Sequence, residues 1–270
     1  MSRLARAAAL ALLVATPAIA APVVVVGPGN SASKRYTGMS NSYRWLDGKE
    51  RDLNGLRLSK LYLTVTRGVV RIANGQSDVV IKDSTFILAK PQTGDSLPVA
   101  VEVVDGHDVL IERVTARNWR MEPVKGAYLN GDCFSGERLS YNVTLRQTYA
   151  IGCSDGGYDF KTTGLVLDRV TAEDVGFCLR IWGSAKATTV ACKAWREGAV
   201  QVKPGASITI DTLKIFPAAG KPVTLFGVGK GATLIVKKCE GKLPAGSTVL
   251  FYQEGASAAN TTVKLGATCL

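Results

Sequence analysis

The run L-V-L-D-R-V-T-A-E-D-V-G-F-C-L-R-I-W-G-S-A-K-A-T-T-V, residues 165–190, decides the fold. It holds two short apolar alternations, Leu165/Leu167 and Leu179/Ile181, and a third that begins at Thr188/Val190. Period-two alternation bounded by Asp, Gly and Ser reads as strand, turn, strand. The same reading extends outward in both directions. Val79/Ile81, Val109/Ile111 and Val143/Leu145 precede it, with Leu56/Leu58 as a first member, and Ile208/Ile210, Leu234/Val236 and Val263/Leu265 follow. The leading residues recur every 20 to 34 positions. A second apolar run sits between most of them, as in Val99–Val103, Tyr158–Phe160, Val200–Val202 and Val223–Phe226. A sandwich would show turn signals every 8–12 residues. Two or three strands per turn of a solenoid explain both intervals, and equivalent residues of successive coils then stack into one apolar column.

The expected fold is therefore all-β, a right-handed parallel β-helix of about eight or nine coils. The longer intervals place loops at Lys90–Pro98 and Trp119–Ala127, where a repeat scaffold puts its binding face. Residues 1–20 carry Arg3 and Arg6, an apolar stretch and the small-residue site Ala18-Ile19-Ala20, the pattern of a cleaved secretory signal. Residues 21–50, rich in Gly, Ser, Asn and basic side chains, read as an irregular N-terminal cap, and 51–270 as the solenoid. The apolar core of the signal segment is too short to span a bilayer, and no later stretch approaches the roughly 18 apolar residues of a membrane helix. The expectation is a secreted or periplasmic protein without a transmembrane segment. Its six cysteines, Cys133, Cys153, Cys178, Cys192, Cys239 and Cys269, allow up to three disulfides there. Cys239 with Cys269 is the first expectation, because it would pin a terminal coil.

Residues 130–161, N-G-D-C-F-S-G-E-R-L-S-Y-N-V-T-L-R-Q-T-Y-A-I-G-C-S-D-G-G-Y-D-F-K, resemble the polygalacturonase family of glycoside hydrolases, in which N-T-D is followed by N-V-T-I and a paired D-D. The resemblance spans roughly residues 128–203. It implies a parallel β-helix that hydrolyses pectin with inversion. Asn130-Gly131-Asp132 matches N-T-D with Gly in the middle, and Ser154-Asp155 matches D-D with Ser first. Phe177 stands where the resemblance implies a histidine. Gln201-Val202-Lys203 stands for an R-I-K motif, with Gln in place of the substrate-binding Arg.

Acid–base hydrolysis needs one protonated carboxyl and one carboxylate across a glycosidic bond. Asp132, Asp155 and Asp159 are the candidates. If Tyr158/Phe160, Leu179/Ile181 and Val200/Val202 point inward, their alternates form an outward stripe: Asp159 and Lys161, Arg180 and Trp182, Gln201 and Lys203, beside Asp132 and Phe134. Cations pair with carboxylates and an indole stacks on a sugar ring, so the stripe suits a uronate chain. Phe134, Trp182, Gln201 and Lys203 are the candidate substrate-binding residues. In a lyase version Lys161 or Arg180 would be the base, and the three aspartates would hold Ca²⁺; otherwise no metal or cofactor is implied. Asp and Gly at 131–132 and 155–157 also suit plain turns. The lone His107, in Asp105-Gly106-His107-Asp108, reads as a solvated turn residue. The formal charge of +11, or +9 without the signal, fits an acidic polysaccharide, and export disfavours nucleic acid. Two functions stand side by side: a polysaccharide hydrolase or lyase, and a non-catalytic glycan-binding or structural β-helix.

Overall fold

The computed structural model describes residues 24–26, 35–36, 45–50, 52–93, 97–124, 126 and 128–269. Its strands pair in parallel throughout, in two sheets that follow chain order. The smaller sheet has nine strands, one per coil: β1 (Leu46–Asp47), β2 (Gly68–Ile72), β3 (Val99–Val103), β4 (Asp132–Gly136), β5 (Gly156–Phe160), β6 (Phe177–Ile181), β7 (Gly198–Val202), β8 (Thr224–Val228) and β9 (Thr248–Tyr252). The larger sheet has fourteen strands and supplies the rest of each coil. This is the right-handed parallel β-helix, the hand that parallel crossovers take.

Each coil contributes to continuous columns. Val70, Val101, Phe134, Tyr158, Leu179, Val200 and Phe226 are in register in the small sheet and fully buried. Leu58, Ile81, Ile111, Leu145, Leu167, Ala187, Ile210, Val236 and Leu265 form the facing column. The partner of Leu165/Leu167 is thus Ala185/Ala187. The expected pair Thr188/Val190 is corrected: Thr188 is exposed and hydrogen-bonds Asp168, while Val190 pairs with Val170 and Leu213 beyond the next corner. Two alanines in the apolar column hide it from a search for large residues.

The corners explain many polar residues. At one, Gly55, Asp78, Asp108, Asn142 and Gly164 all have φ between 51° and 71°; at another, Lys60, Asp83, Arg113, Gln147 and Arg169 all lie near 51–56°. A single left-handed residue turns the strand without breaking the stack, and Asp, Asn and Gly bear it most readily.

The smaller sheet bends at its start, so two consecutive residues face inward: Val69-Val70, Ala100-Val101, Cys133-Phe134, Cys178-Leu179, Ala199-Val200 and Leu225-Phe226 are all buried. Cys133 is disulfide-bonded to Cys153, and Cys239 to Cys269 as expected. Cys178 and Cys192 are free, buried thiols in hydrogen-bonding contact. Trp119 and Trp195 are buried, Trp195 donating its indole N–H to the Thr224 carbonyl at 2.9 Å.

The signal segment 1–20 and most of 21–50 lie outside the described residues. Within 21–50, Val24–Val26 and Arg35–Tyr36 pair in parallel with Arg57–Ser59 and Tyr62–Val65, and β1 pairs with β2. Those parts of the expected cap extend the sheets. No helix among the described residues is long and apolar enough to cross a membrane.

Candidate active site

The outward face of the small sheet carries one residue per coil in register: Asp47, Arg71, Glu102, Ser135, Asp159, Arg180, Gln201, Gly227 and Phe251. Upstream, Arg71 bridges Asp47 at 3.2 Å and Glu102 at 2.8 Å. Between β3 and β6 the face sinks into a cavity of about 370 Å³. Asp132, Asp155, Asp159, Lys161, Arg180 and Trp182 all line it, with Leu97, Val99 and Glu102 on the far wall.

Asp132, Asp155 and Asp159 are buried, and one carboxyl oxygen of each lies within 4.8 Å of the others. Arg180, on β6, reaches into the group. Its Nη1 donates to Asp155 Oδ2 at 2.9 Å, Asp159 Oδ2 at 3.0 Å and the Tyr128 hydroxyl oxygen at 2.8 Å, and its Nη2 donates to Asp155 Oδ1. Tyr128 in turn donates its O–H to Asp155. Burial opposes the Arg180 charge, but Asp155 and Asp159 outweigh it and raise its pKa.

Asp132 accepts the Gly156 N–H at 2.7 Å. Burial first, then the charges of Asp159 and Asp155, hold its carboxyl well above the usual carboxylate range. Burial likewise raises Asp159, against the pull of Arg180. Asp155 takes both guanidinium nitrogens and the phenol, the bonding pattern of a carboxylate. Two neighbouring carboxyls with opposed environments are the signature of an acid paired with a base or nucleophile. Their separation is shorter than the ~6.5–9.5 Å that leaves room for a water between them, and nearer the ~5–5.5 Å of double displacement.

Trp182 donates its indole N–H to Asp159 Oδ1 at 2.8 Å, and its ring has Lys203 Nζ 4.4 Å and Lys161 Nζ 5.9 Å from its centroid. It is half-buried, holding Asp159 in place with lysines from both adjoining coils over its ring. Lys161 Nζ donates to both carboxylate oxygens of Glu137, at 2.8 and 2.7 Å. Lys203 has its pKa lowered by burial, then by Arg180. Gln201 lies one coil beyond Arg180. Phe134 is corrected: it is fully buried against Tyr158, ring centroids 5.4 Å apart, because the bend turns Cys133 and Phe134 inward together, so it touches no ligand.

The departures from the resembled motif have local explanations. Ser154 Oγ donates to the Asn130 carbonyl at 2.9 Å and accepts the Met121 N–H at 3.0 Å, tying two loops to the site wall. Gly131 has φ 145°, and a Cβ there would lie 2.2 Å from Ser154 Oγ. Gly at 131 thus makes the room that Ser154 uses. Phe177 lies against Arg180, whose guanidinium carbon is 4.6 Å from the ring centroid. His107 is on the other sheet, stacked on Tyr141 with centroids 4.5 Å apart and its Nδ1 2.7 Å from Asp108. Sequence reasoning missed Tyr128 and Glu137; a loop tyrosine has no periodic signal, and Glu137 follows β4 in the register that the bend obscures.

The three carboxyls are close enough to hold a cation, yet Arg180 already bonds Asp155 and Asp159. A calcium ion needs six to eight oxygens. The arrangement does not fit one without displacing Arg180.

No protein-family model matches this chain, and no curated protein matches it. Among solved structures it is similar to the 1.7 Å crystal structure of Jun a 1, the major allergen from cedar pollen, at 12% identity over 79% of this chain and 72% of that one, with a TM-score of 0.48.

Proposed function

We propose that this chain is an exported β-helix protein that binds an acidic, uronate-type polysaccharide along the outward face of the small sheet and hydrolyses it over Asp132 and Asp155. The observation that carries the reading is the pairing of a buried carboxyl, its pKa raised by burial and its neighbours, with one held by Arg180 and Tyr128, on the wall of an open cavity that Lys161 also lines. Asp132 would give its proton to the leaving glycosidic oxygen. Asp155 would either take a proton from the attacking water or attack the anomeric carbon itself, and the anomer of the fresh product separates the two. Lys203 and Lys161 would meet the carboxylates of the chain. The resemblance of residues 130–161 to polygalacturonases supports hydrolysis over carboxyl groups, although it implies inversion where the short carboxyl separation favours double displacement, and two disulfides suit an oxidising compartment.

A lyase reading rests on Lys203, whose lowered pKa suits proton abstraction better than Lys161, which is paired with Glu137. The test is a panel of acidic polysaccharides followed for new reducing ends and for absorbance of unsaturated uronates. Reducing ends without unsaturation support hydrolysis; unsaturated products move the chemistry to Lys203. Binding without either product leaves a glycan-binding protein. Failure of the wild type to bind any acidic glycan at low salt overturns the reading.

A further inference from the structure

Downstream of the aspartates the same face changes character. In coil eight the outward position that faces Gln201 and Phe251 is glycine, Gly227 within β8. The neighbouring coils carry side chains there: Gln201 on one side and Phe251 on the other. The result is a notch one coil wide, with flanking strands about 9–10 Å apart, twice the strand spacing. Its volume is about 280 Å³, and Phe177, Gln201, Gly227, Phe251 and Gln253 line it.

Three features of the notch point to a ligand. Phe251 is 55% exposed on the outward face of β9. Gln253 Nε2 is buried without a hydrogen-bond partner, and it lies 3.5 Å from where a Gly227 Cβ would be, so the unpaired amide packs over Gly227 at the edge of the notch. The charged residue on the lining is Glu197, which repels a carboxylate. An aromatic face beside an unsatisfied amide donor suits the apolar face and hydroxyl edge of a sugar ring. The absence of a cation on the lining, next to Glu197, suits a ring that carries no charge.

We propose that this notch is a subsite for an uncharged pyranose, so that the protein selects a glycan acidic over the stripe of Lys161 and Lys203 and uncharged in the coil that follows. The assignment deepens the acidic-glycan reading and rests on it. A partly esterified polyuronate presents both kinds of ring in one chain, and the parent polymer presents one.

The experiment is affinity measured by calorimetry for polygalacturonate and alginate, each in its free-acid and half-esterified form, with recovered ligand checked for intact length. The expected result is that the wild type binds the half-esterified form more tightly than its parent. Phe251→Ala and Gln253→Ala should each weaken the half-esterified form about three- to tenfold and leave the parent unchanged. Glu197→Gln should narrow the difference by strengthening the parent. Circular dichroism verifies the fold of each variant. Equal wild-type affinity for both forms, or variants that weaken both forms alike or neither, would overturn the subsite while leaving the acidic-glycan reading intact. Failure to bind any of the four polymers overturns both.

Discussion

Arg180 shows how one side chain sets the chemistry of its neighbours. It is 7% exposed and pairs with Asp155, 3% exposed, and with Asp159. Removing one member of a buried ion group leaves the others uncompensated, at a cost of about 3–5 kcal/mol. Arg180→Met should therefore unfold at markedly lower denaturant, and Asp155→Asn in the same chain should restore part of the loss; additive effects in the double variant would show that the two are not coupled. Asp132 acts in the opposite sense. Its folded-state pKa is raised, so its contribution to stability is complete below the ordinary carboxylate value of ~3.9 and is lost as pH rises through the raised one. Asp132→Asn, which mimics the protonated acid, should flatten that decline in thermal melts taken across pH and abolish turnover. An unchanged pH slope would mean that Asp132 is ionised in the native protein. Asp132 and Asp155 were legible because they lie about one coil apart, and Asp159 because it alternates with the inward Tyr158 and Phe160. Tyr128 was not, since nothing in the spacing of a loop says which side chain folds back over the site. Phe134 was misplaced because period-two alternation fails where a strand turns a corner.

The corners are the elements in which backbone geometry, more than packing, chose the residue. Gln147 has φ 52° at the junction of Tyr141–Arg146 with Tyr149–Ile151, in the column of Lys60, Asp83, Arg113 and Arg169. An L-residue in this region carries a penalty of roughly 1–2 kcal/mol that glycine escapes, partly offset by glycine's freer unfolded chain. Gln147→Gly should be neutral or mildly stabilising, whereas Gln147→Val should cost about 1–2 kcal/mol; equal effects in urea titrations would contradict the corner geometry. Within the strands the choice is made by burial. Val143 is fully buried between Val109 and the next coil, and Lys186 is exposed in the strand Ser184–Lys193, although its sequence reads as a turn. Val143→Asp should abolish soluble expression and Lys186→Glu should not, since the first buries an unpaired charge. The recurring V-x-I pattern made these strands visible in the sequence. The left-handed corners were visible merely as scattered Asp, Asn and Gly, because Lys60, Arg113 and Gln147 carry the same conformation with no turn signature of their own.

At the scale of the whole molecule, a solenoid has no central core that all parts share, so its stability is a chain of nearest-neighbour interfaces and its ends fray first. The C-terminal end is closed by Cys239, in the strand Thr233–Gly241, bonded to Cys269 in the final turn Ala267–Cys269, while Cys133–Cys153 sits in the middle coils beside the aspartates. The bridge closes a loop of sequence separation 30, and a link of that length typically contributes about 2–4 kcal/mol by restricting the unfolded chain. In a one-dimensional stack that contribution should be felt locally. Cys239→Ser with Cys269→Ser should raise hydrogen exchange through β9 and Thr262–Leu265 and leave β4 to β6 protected, so the acidic site survives while the notch beside Phe251 loosens. Labelling of the denatured, non-reduced wild type should find two thiols, Cys178 and Cys192, and reduction should expose six. Protection lost evenly along all nine coils would show that the solenoid unfolds as one unit, and that its terminal bridge guards the distant aspartates as firmly as the coil it closes.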